Sequence, residues 1–312
     1  MKQEILKDVQ QNGKKRPWRP KKVRGLKLAD SYKRLGFDNK SMRVWTCGNR
    51  LEFRVLEDGQ RKLQNAYFCK ERLCPMCQWR KSIKIFHQVS RVMDVTEGRH
   101  DNLIPVFLTL TLRNCVDQEL ASTLDNLFKG WYRFTNHRKI NRIVQGWFRA
   151  LEVTYNKKEN TYHPHVHVVL MVDRTYFTGK DYMHIIEWVK MWRMSLKLDY
   201  DPICDIRKVK ADKGKHKAVA EIAKYTMKDT DYILADKEKM DKIVMTLSQA
   251  LRNRRLYAFG GLLKIIAKEL KADSLDEGDL VHIDAQSMRE DVAMLLEQYR
   301  WNFGIADYIR ER

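Results

Sequence analysis

A chain of 312 residues has room for one large domain or two to three small ones, and its apolar share of 44% is enough for a buried core. Sixty Lys and Arg against 40 Asp and Glu leave a formal charge of +20, which points to a polyanionic partner, nucleic acid ahead of membranes or acidic proteins. No apolar run approaches the roughly 18 residues of a membrane span. The opening MKQEILKD holds no apolar signal core, and 6 cysteines in a chain this long do not make a disulfide scaffold, so a cytoplasmic chain with reduced thiols is expected.

The first segment is dominated by charge. KKRPWRPKKVRGLK carries Lys14, Lys15, Arg16, Arg19, Lys21, Lys22, Arg24 and Lys27 without one acid, and its two prolines and glycine argue against a long helix. The expectation over 1–42 is a mobile basic arm that neutralises phosphates, with Trp18 stacking on a base. A solvated linker explains the same run.

Next come Cys47, Cys69, Cys74 and Cys77. Cys74-Pro-Met-Cys77 is a CxxC turn that aims two thiolates at one ion, and Cys47 and Cys69 complete a tetrahedral set for a closed, structural Zn²⁺. Buried free thiols are the plain alternative, and they are the reading for Cys115 and Cys204. This Cys-rich region, with the helix that follows at about 78–95, is placed at 43–100. The stretch between Cys47 and Cys69 is read as a long loop.

From residue 104 the pattern is β-α-β-β-α-β-α: strands near 104–113, 143–155, 164–172 and 203–209, and helices near 117–137, 178–196 and 217–232. That order resembles a ferredoxin-like split βαβ unit with a helix appended, so the fold class is α+β with an antiparallel sheet. Residues 101–235 are the catalytic domain of this reading. The remainder, 236–312, is read as helical, with amphipathic stretches near 236–255 and 285–301.

The strand TYHPHVHVVL carries the sharpest signal. His165 and His167 lie two apart, so they share one face and can chelate a divalent ion, with Val166 turned away. Burying both without partners would be costly. His163 shares their parity at the strand edge. If Tyr155 pairs with Tyr162 across the polar loop NKKENTYH, Glu152 faces His165, because both pairs sum to 317. Two imidazoles and a carboxylate leave positions open for a catalytic Mn²⁺ or Mg²⁺. A salt bridge from Glu152 to Arg149 or Lys157 is the plain alternative. In FLTLTLR, Thr109, Thr111 and Arg113 form a polar face that could floor the site.

The segment 217–232 spaces Glu221, Tyr225, Lys228 and Tyr232 by 4, 3 and 4, along one helical face. Tyr225 can act as a nucleophile where its target is polarised by a metal. Lys228 can steady the charge and Glu221 can serve as a base. Ordinary amphipathic packing also accounts for this stripe.

The strand Phe107–Thr111, the strand His163–Leu170 and the helix Ala220–Asp229 follow the order of the three motifs of rolling-circle replication initiators, and the chain resembles the HUH endonucleases over about residues 45–265. The closest resemblance is to plasmid initiators with one principal tyrosine and a glutamate four residues before it, as in Glu221 and Tyr225. The resemblance implies a metal-dependent nick at the plasmid double-strand origin: Tyr225 joins the 5′ phosphate and a free 3′-OH primes synthesis. His165 and His167 hold the metal, Glu152 is the third ligand by register, and Glu221 activates water at termination. Tyr232 stands as an alternative second nucleophile. Host helicase and polymerase are the implied partners, with a homodimer left open. Competing readings are a non-catalytic origin-binding regulator, an HUH transposase or relaxase, and an RNA-directed zinc protein. The first needs neither a metal pair nor a phenol. Transposases of this kind lack the Cys-rich region, relaxases place the tyrosine before the histidines, and no aromatic RNA-binding strand supports the last.

Overall fold

The sheets of the computed structural model are antiparallel throughout, and the class is α+β. The described residues are 4–10, 13–209, 219, 228–276, 278–283 and 295–311. They divide into two units, one of residues 1–84, 232–248 and 279–312, the other of 85–231 and 249–278.

In the first unit the basic run is folded. Helix α1 (Trp18–Arg34) takes in most of it, followed by α2 (Asp38–Thr46). This corrects the mobile arm. Pro20 falls in the first turn, where backbone N–H groups have no helical acceptor, so the ring removes no bond. Gly25 is buried and its missing side chain costs the helix about 1 kcal/mol, which packing of Leu28, Ala29 and Tyr32 outweighs. Trp18 is only 3% exposed and donates its Nε1–H to Asp8 at 2.7 Å, so it cannot stack on a base. Lys21 and Lys22 are buried as well, leaving Lys14, Lys15, Arg19 and Lys27 as the exposed cations of the run.

The segment between Cys47 and Cys69 is a hairpin rather than a loop: β1 (Arg50–Val55) and β2 (Arg61–Ala66). The chain end adds β8 (Leu295–Asn302) and β9 (Asp307–Arg310), giving the order β2-β1-β8-β9. The helical reading of the tail is therefore corrected at its end, where the amphipathic stretch near 285–301 runs into β8. In LLEQYRWN, Glu297, Tyr299 and Trp301 are buried and alternate with exposed residues, which is the period of a strand.

Helix α3 (Pro75–Arg99) leads from the Cys region into the second unit's chain. That unit continues with β3 (Leu103–Thr111), α4 (Leu120–Thr135), α5 (Arg138–Ile143), β4 (Val144–Asn156), β5 (Thr161–Asp173), α6 (Ile185–Leu196) and β6 (Cys204–Lys208). Then come α7 (Asp229–Tyr232), α8 (Lys237–Ala250), which belongs to the first unit as far as Ser248, β7 (Tyr257–Gly260) and α9 (Gly261–Glu269). The sheet order is β6-β3-β5-β4-β7. Its first four strands have the order of a split βαβ arrangement, as the sequence pattern implies.

Helices α4 and α6 cover one face of this sheet. Phe134 of α4 meets Trp192 of α6 at 5.6 Å, and Trp192 donates Nε1–H to the Thr111 carbonyl at 3.0 Å. Gly130 lets the helices approach: a Cβ there would lie 2.5 Å from Leu196. Leu108, Leu110, Val166 and Val168 are fully buried, each worth about 1.5–3 kcal/mol relative to exposure. Arg149 shares the row of Val168, and its guanidinium lies 4.6 Å from the Phe128 ring of α4. Because side chains alternate along a strand, the opposite face carries Thr109, Thr111, Glu152, His163, His165 and His167.

Candidate metal centres

The β4–β5 register sets the first group. Tyr155 pairs with Tyr162 and Glu152 with His165, the pairing that the residue arithmetic expects. His165 faces Thr111 and His167 faces Thr109 on the other side. Glu152 Oε2 lies 3.0 Å from His167 Nε2 and 3.4 Å from His165 Nε2. All three ligand atoms fall within 4.8 Å of one another. Two ligands at about 2.1 Å from an octahedral ion are about 3.0 Å apart, so this spacing fits a small divalent cation.

The other ring nitrogens are held. His167 Nδ1 is 3.1 Å from Thr109 Oγ1, and His165 Nδ1 is 3.2 Å from the His163 carbonyl. A proton on Nδ1 in each case leaves the Nε2 lone pair aimed at the centre. Burial opposes ionisation of Glu152, yet the hydrogen bonds and charge of His165 and His167 hold its carboxyl well below the usual range. His163 stacks 5.1 Å from His165, and burial with the His165 charge pushes its imidazole down.

The salt bridges weighed for Glu152 are not made. Arg149 is on the helix face and donates to the Arg255 carbonyl at 3.2 Å. Lys157 Nζ donates to the Thr230 carbonyl at 2.9 Å. That bond ties the residues after Lys228 to the hairpin bearing Glu152. Sequence reasoning missed Asp231 in this segment. Burial pushes its carboxyl up, Lys228 and Lys157 oppose this, and the Glu152 charge adds to it. No local pattern marks Asp231, because its closeness to Glu152 depends on the hairpin tip.

Glu221 and Tyr225 lie outside the described residues. Lys228 is exposed. Tyr232 is fully buried and its hydroxyl donates to the Leu73 carbonyl, so the alternative of a second nucleophile at Tyr232 is corrected. Its spacing matched a helical stripe, but a tyrosine stripe serves packing equally well.

The second group is the cysteine set. Cys47 Sγ is 3.6 Å from Cys77 Sγ and 3.7 Å from Cys74 Sγ, and Cys69 Sγ is 3.6 Å from Cys77 Sγ. Four sulfurs at about 2.3 Å around a tetrahedral Zn²⁺ would be separated by about 3.8 Å, so the set could hold zinc. A disulfide needs about 2.05 Å. The backbone N–H groups of Cys69 and Lys70 point at Cys47 Sγ and Cys77 Sγ, 3.4 and 3.3 Å away, which suits thiolates. Beneath them the buried Lys22 Nζ donates to the Trp45 and Cys47 carbonyls at 2.6 and 2.9 Å. Burial pushes the Lys22 ammonium down to about 8, while Cys47, Cys74 and Cys69 act in the opposite sense. Cys115 is buried apart from the set and Cys204 is half-buried.

A model of a family described as replication protein matches residues 60–309. A "Protein rep" of Bacillus amyloliquefaciens is 39% identical over 98% of this chain and 97% of its own length. One from Streptococcus pneumoniae is 41% identical over 89% and 87%, and one from Lactiplantibacillus plantarum is 34% identical over 98% of each. No solved structure matches the chain. Among the described residues, no helix is long and apolar enough to cross a membrane.

Proposed function

This chain belongs to the Rep family of plasmid rolling-circle replication initiators, whose known class is the HUH endonucleases, and we propose that it starts replication by nicking the plasmid double-strand origin. The observation that carries this reading is the convergence of Glu152, His165 and His167 on the sheet face away from α4 and α6. The three side chains would hold Mn²⁺ or Mg²⁺, which when bound supplies Lewis-acid polarisation of a phosphate oxygen.

The chain's own residues do the rest. Tyr225 gives up its phenolic proton and its oxygen attacks the scissile phosphorus. A Tyr–O–P bond forms, the P–O3′ bond breaks, and the 3′ oxygen leaves with a proton as the primer hydroxyl. The phosphodiester is exchanged rather than hydrolysed, so its energy is kept for strand transfer. Lys228 offsets negative charge on the reacting phosphate, and Thr109 and the His163 carbonyl keep the imidazoles oriented. At termination Glu221 takes a proton from water or an incoming hydroxyl, which releases the protein. The cysteine set would hold a structural Zn²⁺ that closes the corner between α2 and α3. A host helicase unwinds the duplex and a host polymerase extends the primer.

The test is conversion of negatively supercoiled origin plasmid to the open circle. Wild-type protein should nick with Mn²⁺ or Mg²⁺ and not with both removed. The double variant His165→Ala/His167→Ala should still bind origin DNA yet nick at least a thousandfold more slowly, a figure on the scale of losing charge stabilisation at the reacting group. Binding by the wild type without nicking in either metal would favour a non-catalytic origin-binding regulator. Glu221→Ala should nick normally and fail in termination.

A further inference from the structure

The first unit carries an aromatic pair that the nicking chemistry does not use. Trp45, at the end of α2, and Phe303, in the turn between β8 and β9, stack with ring centroids 4.8 Å apart and planes within 10°. Neither is buried by the pairing: Trp45 is 41% exposed and Phe303 50%. Met42, one helical turn before Trp45, is 70% exposed, and Ile305, two residues beyond Phe303, is 45% exposed. Isolated apolar side chains on a surface need no explanation, but a stacked, exposed pair continued by two more does.

The platform is rigidly mounted. Lys22 Nζ holds the Trp45 carbonyl at 2.6 Å, and Cys47, two residues on, is in the cysteine set. The Phe303 turn is closed by Asn302 Oδ1, which accepts from the Gly304 and Ile305 N–H groups at 2.9 and 3.1 Å. The same corner is joined to the sheet by the Trp301 N–H on the Asn49 carbonyl at 2.8 Å and the Tyr308 hydroxyl on the Gly48 carbonyl at 2.7 Å. A surface held this firmly presents its rings without an ordering cost on binding.

Charge identifies the occupant. Residues 1–84 hold 23 Lys and Arg against 8 Asp and Glu, a net +15 out of the chain's +20. Arg19 Nε donates to the Ala306 carbonyl at the Phe303 turn and lies 3.5 Å from Asp307, with its side chain still 59% exposed. Arg43, two residues before Trp45 on α2, pairs with Glu71 at 2.9 Å and stays 51% exposed. Flat rings beside cations match a chain of bases and phosphates. In a duplex the base faces are hidden against each other, so only unpaired bases can use a flat platform.

We propose that Trp45 and Phe303 form a stacking site for unpaired bases of single-stranded DNA. Stacking is sequence-tolerant, so the site grips melted DNA whatever its sequence. The site is a binding site in its own right and does not depend on the nicking reading.

The test measures binding of the full chain, without added Mn²⁺ or Mg²⁺, to a labelled mixed-sequence 20-mer and to the same sequence as a duplex. Trp45→Ala/Phe303→Ala should weaken single-strand binding by about tenfold to a hundredfold, the range for losing stacking on one base. Duplex affinity and the slope of single-strand binding against salt should stay unchanged, because phosphate contacts remain. Trp45→Phe/Phe303→Tyr should restore most of the loss. Unchanged single-strand affinity in the alanine variant, or equal loss on duplex, would overturn the proposal; the first result would leave the patch to a protein partner. Photocrosslinking of wild-type protein to a 5-iodouracil 20-mer needs no variant to fold. Adducts should map to Trp45 or Phe303, and adducts confined to other residues would also overturn it.

Discussion

Thr109→Val removes one hydroxyl and keeps the branched shape that suits a strand. In the wild type that hydroxyl lies 3.1 Å from His167 Nδ1, while His167 Nε2 faces Glu152 Oε2 at 3.0 Å. An imidazole can bind a metal through Nε2 only with its proton on Nδ1, the tautomer that Thr109 favours by accepting that proton's hydrogen bond. Without it, the competing tautomer places N–H on Nε2 and gives it to Glu152, consuming two ligands at once. Losing a partner of this kind typically costs 10- to 100-fold in metal affinity, about 1.4–2.7 kcal/mol. Calorimetric titration of Mn²⁺ into full-length protein that keeps its zinc but has been freed of Mn²⁺ and Mg²⁺ reads this directly, with Thr109→Ser as the control that keeps the hydroxyl. The expected order is wild type close to Ser, both well above Val. Equal Mn²⁺ affinity for wild type and Val would refute the tautomer argument. Equal weakening by Ser and Val would assign the effect to the lost methyl packing instead.

Two other outcomes follow from the first unit. Purified protein should carry about one zinc per chain, and Cys74→Ser should lose it and melt at lower temperature, since binding energy of a structural zinc is folding energy; zinc-free protein with unchanged melting would contradict the assignment. Glu297 is a buried carboxylate 2.7 Å from Arg61 Nε and 3.1 Å from the Tyr299 hydroxyl, with Arg310 3.4 Å away. Burial opposes its ionisation, but Arg61, Tyr299 and Arg310 hold its carboxyl below the ordinary value. A depressed carboxyl stabilises the fold fully above its unfolded value and loses that contribution as pH falls through the folded one. Glu297→Gln should therefore cost about 1–3 kcal/mol near neutrality, and its stability curve should converge on the wild type as pH drops below about 4. A constant gap across that range would show that the charge is not what matters.

What the sequence reveals depends on how local the cause is. The two imidazoles and Glu152 were legible because a hairpin with paired tyrosines fixes register by counting, and a slip would expose its apolar face. The four cysteines were legible by residue type. Helix α1 was not, because proline and lysine are read as breakers and surface residues. Here Pro20 sits where no bond is lost, and Lys22 is buried against the carbonyls of Trp45 and Cys47, 23 and 25 residues away. The hairpin of β1 and β2 had a signal, Asp58-Gly59 between Val55 and Arg61, that the cysteines on either side obscured. Strand β8 was misread as helix because a short apolar run with charges fits both periods until its partner strands decide. The Thr109 hydroxyl was seen as the floor of the site, but its bond to His167 came only with the pairing of β3 and β5.

On the proposed mechanism Tyr225 forms a covalent bond with DNA in a step that needs the metal held by Glu152, His165 and His167. Supercoiled plasmid carrying the origin would be incubated with protein and Mn²⁺ or Mg²⁺, digested with protease and nuclease, and searched by mass spectrometry for a nucleotide-bearing peptide. The expected result is an adduct on Tyr225 that requires metal, vanishes in Tyr225→Phe and is suppressed in His165→Ala/His167→Ala. A nick without any tyrosine adduct, or an adduct formed equally well with metal removed, would contradict it.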